Sequence, residues 1–248
     1  MMPARARLET LLRDRKLDHT LTSSVIGGTV KSTGEERDRA VAPTNRRQID
    51  VSLKGGLPRG QISECVGPRS SGRTRLLLST LAAATDRGEV VALIDALDTF
   101  DPESAAVAGV DLTRLLWIRG QAMSAARLSL AQEWGGFHTA LDRSLKALNL
   151  VLQTGHFGIV ALDLVDVPPQ VIRRAPFTTW LRLQRVIEGT DTVCLLLGLD
   201  AMARSSGGVT VTLSSPRSPE RTLGARPSTP TLFPAVEIAA RVMHAHWA

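Results

Sequence analysis

Tyrosine is absent from this 248-residue sequence, and aromatic side chains make up only 4% of it. Such a chain offers few platforms for stacking unpaired bases, which argues against a surface built for binding RNA or single strands by stacking. Cysteine occurs only at Cys65 and Cys194, each within an apolar run. The sequence therefore favours buried, reduced thiols over a disulfide framework or a zinc site.

Long hydrophobic runs are also missing, because no apolar stretch reaches the roughly 18 residues that a membrane-spanning helix needs. The first residues lack the apolar stretch of a secretion signal. We therefore expect a cytoplasmic protein without a membrane partner. Hydrophobic residues make up 43% of the chain, which is enough to bury a core.

Lysine is scarce and occurs only at positions 16, 31, 54 and 146, so arginine supplies nearly all the positive charge behind a net charge of +6. The planar guanidinium pairs bidentately with phosphate, so excess arginine can indicate phosphate recognition. The arginines are spread along the chain, however, and a composition that simply prefers arginine to lysine explains them equally well. Affinity for polyanions is allowed but not required.

The chain divides into three regions. Residues 1–47 hold a helical segment at 4–18, with leucines along one stripe, followed by a polar linker. Residues 48–213 form the predicted core. Residues 214–248 begin with a stretch containing five prolines and end in a closing segment, where the alternation of Val236, Ile238, Ala240 and Val242 favours a strand over a helix.

The core alternates apolar runs of strand length with amphipathic segments of helical length. Strands are predicted at 61–66, 90–95, 115–118, 157–163, 192–197 and 209–213, and helices at 75–87, 137–153 and 176–188. Continuous apolar strands that alternate with helices are typical of a mostly parallel sheet covered on both faces. The sequence thus predicts an α/β fold.

A glycine-bounded loop lies between the first of these strands and the first helix. It runs Gly-Pro-Arg-Ser-Ser-Gly-Arg-Thr from Gly67 to Thr74 and matches the phosphate-binding pattern Gly-x4-Gly-Lys-Ser/Thr, except that Arg73 stands in place of lysine. Glycines permit close backbone approach, and backbone N–H groups at a helix N-terminus surround a phosphate. The candidate nucleotide-binding residues are Gly67, Ser70, Ser71, Gly72, Arg73 and Thr74, and the Thr74 hydroxyl is the candidate ligand of Mg2+.

Arginine keeps the charge of lysine but is longer, planar and stiffer, so it does not automatically occupy the same space between phosphates. Three interpretations stay open for the loop. It is an inherited shape that no longer binds nucleotide, it binds ATP·Mg2+ with little hydrolysis, or it belongs to a competent ATPase.

Other charged residues extend this candidate site. Asp163 ends an apolar strand, as a Walker B aspartate does, and is the second candidate ligand of nucleotide-bound Mg2+. The alternative is an aspartate that caps the next turn. Arg173 and Arg174 are candidate contacts for DNA, together with Arg182 and Arg185, or they form a solvated basic turn. His244 and His246 have no third ligand at a suitable spacing, so no metal site is predicted.

The segment from Gly55 to Thr74 resembles the nucleotide-binding segment of the RecA recombinases. The likeness continues through Ala92-Leu-Ile-Asp-Ala-Leu-Asp-Thr-Phe-Asp-Pro102 and 108–116, returns at Asp163 and at Gly207-Gly208, and covers roughly residues 48–213. It implies a phosphate-loop core whose mostly parallel sheet is flanked by helices. It also implies an N-terminal helix able to pack on a neighbouring protomer, so residues 4–18 are a candidate for self-association.

Three departures from RecA concern catalysis. The RecA pattern carries a catalytic glutamate where this chain has Leu97, and Asp98 is one residue out of register, so we expect it to point elsewhere. The phosphate-loop lysine is Arg73. The segment 199–207 lacks the glutamine that senses the outer phosphate and is too short for the loop that pairs DNA. Three losses together indicate that recombinase activity is gone.

A RecA-like core without these parts resembles ImuA, a family of accessory proteins of bacterial damage-induced mutagenesis. The resemblance implies a nucleoid-associated role in the SOS response, with translesion polymerase components and RecA itself as partners. Two other functions stay open: a RecA-like ATPase that binds single-stranded DNA, and a RecA-like inhibitor of cell division in the damage response.

Overall fold

The computed structural model describes residues 41–120, 133–203, 208–214 and 240–244, which all belong to one compact unit, Arg37–Ala248. The predicted helix at 4–18 and the Pro-rich stretch lie outside the described residues. Within the described part, no helix combines the length and hydrophobicity needed to cross a membrane.

In the described part of the chain, seven strands form the central sheet. Its strands are β3 (Gln61–Val66), β4 (Val91–Asp95), β5 (Leu115–Arg119), β6 (Ile159–Asp163), β7 (Val193–Gly198), β8 (Val209–Leu213) and β9 (Ala240–His244). They lie in the order β5-β4-β6-β7-β3-β8-β9. Neighbours from β5 to β8 are parallel, and β9 is antiparallel to β8. The predicted α/β fold with a mostly parallel sheet is confirmed.

Helices cover both faces of this sheet, as the apolar character of its central strands requires. They are α1 (Arg47–Ser52), α2 (Arg73–Asp86), α3 (Pro102–Val107), α4 (Glu133–Thr154), α5 (Pro169–Ile172) and α6 (Phe177–Ile187). One core lies on the α2 side and includes Leu77 and Leu195. The other lies on the α4 and α6 side and includes Leu148 and Trp180.

The folded body includes residues that the sequence assigns to the linker. β1 (Val41–Ala42) pairs antiparallel with β2 (Leu57–Pro58). The Asp50 carboxylate accepts hydrogen bonds from the Thr44 backbone N–H at 2.8 Å and hydroxyl at 2.7 Å, which fixes the chain before α1. Elements this short carry no periodicity, so the sequence pattern did not predict them.

The carboxyl ends of the six parallel strands meet at one edge of the sheet. Asp95 at the end of β4 lies in register with Asp163 at the end of β6, and Asp163 lies in register with Leu197 of β7. The loop after β3 emerges at the same edge, since β3 pairs with β7 as far as Val66 and Gly198. This edge therefore collects the candidate site residues, as the topology of open α/β sheets leads one to expect.

Candidate nucleotide-binding site

The loop between β3 and α2 has the backbone of an anion-binding turn. Ser70 and Gly72 adopt positive φ angles of 60° and 94°, and Gly72 directly precedes the first helical residue. A side chain at Gly67 would collide with the backbone carbonyl oxygen of Leu213. Left-handed residues before the N-terminus of a 14-residue helix form the concave shape in which backbone N–H groups face an anion.

Ser71 supplies an independent sign that this loop fits a ligand oxygen. Its side chain is 1% exposed, and its Oγ has no hydrogen-bond partner. The hydroxyl faces the interior of the loop, because Ser71 Oγ lies 2.8 Å from the point where a Gly67 Cβ would stand. An unpaired buried hydroxyl is costly, and a phosphate oxygen in the loop would satisfy it. Thr74, in contrast, is exposed at the start of α2.

Arg73 is directed toward the sheet. Its side chain is buried, and its Nη1 donates a 2.7 Å hydrogen bond to the backbone carbonyl of Gly198, the last residue of β7. Burial lowers the pKa of the Arg73 guanidinium, while Cys65, Asp163 and Asp166 oppose the shift. The residue at the lysine position therefore connects α2 to the end of β7.

Asp163 performs the structural one of the two roles that the sequence left open. Its Oδ1 accepts a 2.9 Å hydrogen bond from the Val165 backbone N–H, so it caps the turn after β6. It also lies at the carboxyl edge, near Arg73. Burial raises the pKa of Asp163 to about 6, nearby Asp95 and Asp166 add to the rise, and the Val165 N–H and Arg73 oppose it.

Asp95 stabilises the turn that follows β4. This turn contains Leu97, at the position where the RecA pattern has its catalytic glutamate. The buried carboxylate accepts hydrogen bonds from the backbone N–H groups of Thr99 at 3.0 Å and Phe100 at 2.8 Å. Leu97 in this turn is 8% exposed and joins the hydrophobic core. The prediction that Asp98 points elsewhere is confirmed, because its two oxygens bind Arg119 at 2.8 and 2.9 Å.

Glu64 is a site residue that the sequence analysis missed. It is 3% exposed in the middle of β3, and its Oε1 accepts hydrogen bonds from the backbone N–H groups of Met202 at 2.7 Å and Ala203 at 2.8 Å. Its Oε2 accepts a 3.2 Å hydrogen bond from the Thr210 hydroxyl. The available signal was a lone carboxylate in the middle of a predicted strand, where burial requires partners.

The candidate DNA-binding arginines lie on a separate helical surface. Arg173 and Arg174 follow α5, and both are exposed, as are Arg182 and Arg185 on α6. Arg173 forms a 3.2 Å ion pair with Asp200, and Arg174 Nη1 lies 3.0 Å from His138 Nε2. Exposed pairs of this kind stabilise a protein little and exchange readily.

The described residues contain no group of three or more His, Cys, Asp or Glu side chains arranged to hold a metal ion. His244 and His246 lie at or beyond the end of the described chain, and their side chains are outside it. The closing segment does contain a strand, β9, as its alternation predicts.

Comparison with known proteins finds similarity to RecA. The family model of the RecA N-terminal domain matches residues 21–127, which carry the phosphate loop and β3 to β5. RecA of Salinispora tropica is 42% identical over 159 residues, which cover 62% of this chain and 40% of that protein. RecA of Nocardia farcinica is 43% identical over 159 residues, which cover 62% of this chain and 41% of that protein.

Among solved structures, a RadB recombinase aligns with 71% of this chain and 84% of its own, at 16% sequence identity and a TM-score of 0.47. The chain spans about two fifths of the length of the two RecA proteins that it matches. The matched segment is the one that forms the phosphate loop and the Asp95 turn. On this evidence the chain is similar to RecA over the segment that carries the phosphate loop.

Proposed function

We propose that this chain is a RecA-like accessory protein of the bacterial SOS response that supports error-prone translesion synthesis through protein contacts. In this proposal it is not itself a recombinase. The observation that carries it is the pairing of a phosphate loop that fits an anion with Leu97, which is buried in the core at the position of the RecA catalytic glutamate. Without a carboxylate there, nothing at that position activates the attacking water.

ATP·Mg2+ is the proposed ligand of the loop. Ser71 and the backbone from Gly67 to Thr74 would hold phosphate oxygens, and Thr74 and Asp163 would hold the magnesium. Bound nucleotide would place negatively charged phosphates at the carboxyl edge of the sheet and would change the surface presented there. Arg73, held on Gly198, keeps the end of β7 in place beside that ligand.

Translesion polymerase components and RecA are the proposed partners. A RecA-like protomer without catalysis fits a role in capping or modulating a RecA filament. Self-association through the segment 4–18, which lies outside the described residues, is part of the same proposal.

The test begins with calorimetry of ATP and Mg2+ binding, followed by phosphate release with and without single-stranded DNA. The proposal expects binding without turnover, and retention of the chain by immobilised translesion polymerase components or by RecA filaments. Turnover stimulated by DNA would contradict it, as would the absence of binding to every one of these partners.

A second candidate, a RecA-like ATPase that binds single-stranded DNA, is favoured by the four exposed arginines at 173, 174, 182 and 185. Phosphate contacts predict affinity that falls steeply as salt rises. If this candidate is right, an Arg173→Ala/Arg174→Ala variant loses both DNA affinity and salt dependence, whereas Arg114→Ala, on another surface, retains them.

A further inference from the structure

A cleft of about 530 Å3 lies between the helices α5 and α6 and the chain that follows β7. Ile172, Phe177 and Trp180 line one side, and Leu199, Ala201 and Met202 line the other. Its volume falls within the range of typical ligand pockets, about 300–1,000 Å3. The cleft is distinct from the phosphate loop, none of whose residues lines it.

Contacts with the protein interior fix both walls of the cleft. Trp180 is 2% exposed and packs into the core with Leu183 of the same helix. On the opposite wall, the Met202 backbone is fixed by Glu64, and Gly198 at the start of that segment is fixed by Arg73. A partner would find this cleft already shaped, which lowers the entropy cost of binding.

Phe177 also lines the cleft, and 44% of its surface is exposed. Aromatic residues that are partly exposed beside an apolar pocket are favoured anchors of protein interfaces. The apolar floor of the cleft, built from Ile172, Trp180 and Met202, suits an aliphatic or aromatic side chain. Arg173 and Asp200 supply charged groups beside this floor.

The chain segment that forms one wall of the cleft is mostly positive. The stretch from Pro169 to Glu188 carries four exposed arginines, at 173, 174, 182 and 185, and its only acidic residue is Glu188. Arg173 itself lines the cleft, and its partner Asp200 stands on the opposite wall. Both side chains of this pair are largely exposed, so a carboxylate from outside can replace Asp200 at little cost.

We propose that this cleft docks a short acidic segment of a partner protein. One bulky apolar side chain of the segment enters between Trp180 and Met202, and flanking carboxylates pair with Arg173 and Arg174. The inference rests on the proposed function, in that it names the surface and the chemistry through which an accessory protein would contact its partner.

Selection from a phage library of random peptides about a dozen residues long, against the full chain, tests this proposal. We expect enriched sequences to carry one large apolar residue flanked by Asp or Glu. A synthetic representative should bind at least about tenfold more weakly to Ala201→Trp, which fills the cleft, and to Arg173→Glu, which reverses its charge. Ala201 and Arg173 are exposed, so neither change disturbs the core.

Two variants serve as matched controls, and both should bind the peptide within about twofold of wild type. Leu150→Ala removes an apolar side chain that is 64% exposed on α4, and Arg114→Glu reverses an exposed charge that does not line the cleft. Thermal unfolding of all four variants verifies that they are folded.

Three results would overturn the proposal: no acidic apolar motif is enriched, the selected peptides bind Ala201→Trp as well as wild type, or an oligothymidylate binds and loses affinity in Ala201→Trp. The last result would assign the cleft to nucleic acid. Peptide docking together with no affinity for either translesion polymerase components or RecA filaments would instead contradict the proposed function and leave the cleft assignment standing.

Discussion

Arg73, at the lysine position of the phosphate loop, has a structural role: its side chain binds the backbone of β7. Its buried guanidinium donates a hydrogen bond to the backbone carbonyl of Gly198, which lies 125 residues later in the sequence. A charged hydrogen bond in such a setting contributes about 1.5–3 kcal/mol. Arginine in place of lysine at position 73 therefore changes the contacts that stabilise the sheet edge as well as the contacts available to a phosphate.

Arg73→Ala should lower the free energy of unfolding by about 2–3 kcal/mol, because it leaves the Gly198 carbonyl without its donor. Urea denaturation measures the loss. Arg75→Ala, an exposed arginine in the same first turn of α2, is the matched control and should change stability by less than about 0.5 kcal/mol. Equal stability of the two variants would show that the Gly198 contact contributes nothing.

The Asp163 carboxyl makes stability depend on pH. Its pKa of about 6 in the folded chain lies above its ordinary value of 3.8, so folding favours the protonated form. The stability that it contributes is complete below the ordinary pKa and is lost as pH rises through about 6. Above that pH the ionised group costs up to about 3 kcal/mol.

Asp163→Asn should therefore be more stable than wild type at about pH 8, with the difference vanishing below about pH 4. Asparagine retains the oxygen that accepts from Val165. Denaturation curves across this pH range measure the effect. Asp98→Asn is the opposite control, because Arg119 holds the pKa of Asp98 below its ordinary value and the variant should gain nothing at high pH.

At the scale of elements, the approach of β8 to β3 depends on a glycine. A Cβ at Gly208 would collide with the Ile62 backbone carbonyl, and β8 joins the sheet directly after this point. Backbone contacts of this kind cannot be relieved by a side-chain rotation. The glycine therefore fixes how closely the last parallel strand can lie against the sheet.

Gly208→Ala should destabilise the chain by about 2–4 kcal/mol, because β8 must move away from β3. Gly135→Ala in α4 is the contrasting change, since its Cβ would meet no atom within 4 Å. It should stabilise by up to about 1 kcal/mol through helix propensity. Thermal melts of both variants test the pair, and a shift of the same sign in each would contradict this account.

The sequence predicted those elements whose signal is local. The apolar runs at 61–66 and 192–197 and the periodic segment at 137–153 correspond to β3, β7 and α4, each within a few residues of the observed bounds. The Gly67–Thr74 loop was found by its motif and lies between the expected strand and helix.

Long-range contacts stayed outside what a pattern can show. The backbone donors of Glu64 lie 138 and 139 residues away, so the neighbouring sequence can show that this carboxylate needs partners but not which groups they are. The partner of Arg73 is equally remote. The direction of Asp98 was predicted because register within one short turn decides it.

For the whole molecule, Cys65 and Cys194 report on global unfolding. They lie on β3 and β7, two paired strands in the interior of the sheet, and both side chains are fully buried. Burial raises the pKa of each thiol to about 12. The reactive thiolate is therefore withheld while the sheet is intact.

Ellman's reagent should leave both cysteines unmodified in the native chain at about pH 8 and modify both in urea. The rate in native buffer should follow the unfolding rate. Val107→Cys, at a position 86% exposed, is the control and should be modified at once. Rapid native modification of Cys65 or Cys194, independent of denaturant, would contradict the buried assignment.

The order of strands in the sheet also determines when each strand can pair during translation. β4, β5 and β6 neighbour one another, so a nascent chain can assemble them once residue 163 has left the ribosome. β3 is made earlier but pairs only with β7 and β8, which end at residues 198 and 213. Non-local parallel pairing of this kind is slow and leaves strand edges open. The phosphate loop thus acquires its Gly198 anchor only after most of the core has been translated, and β3 must be shielded until then.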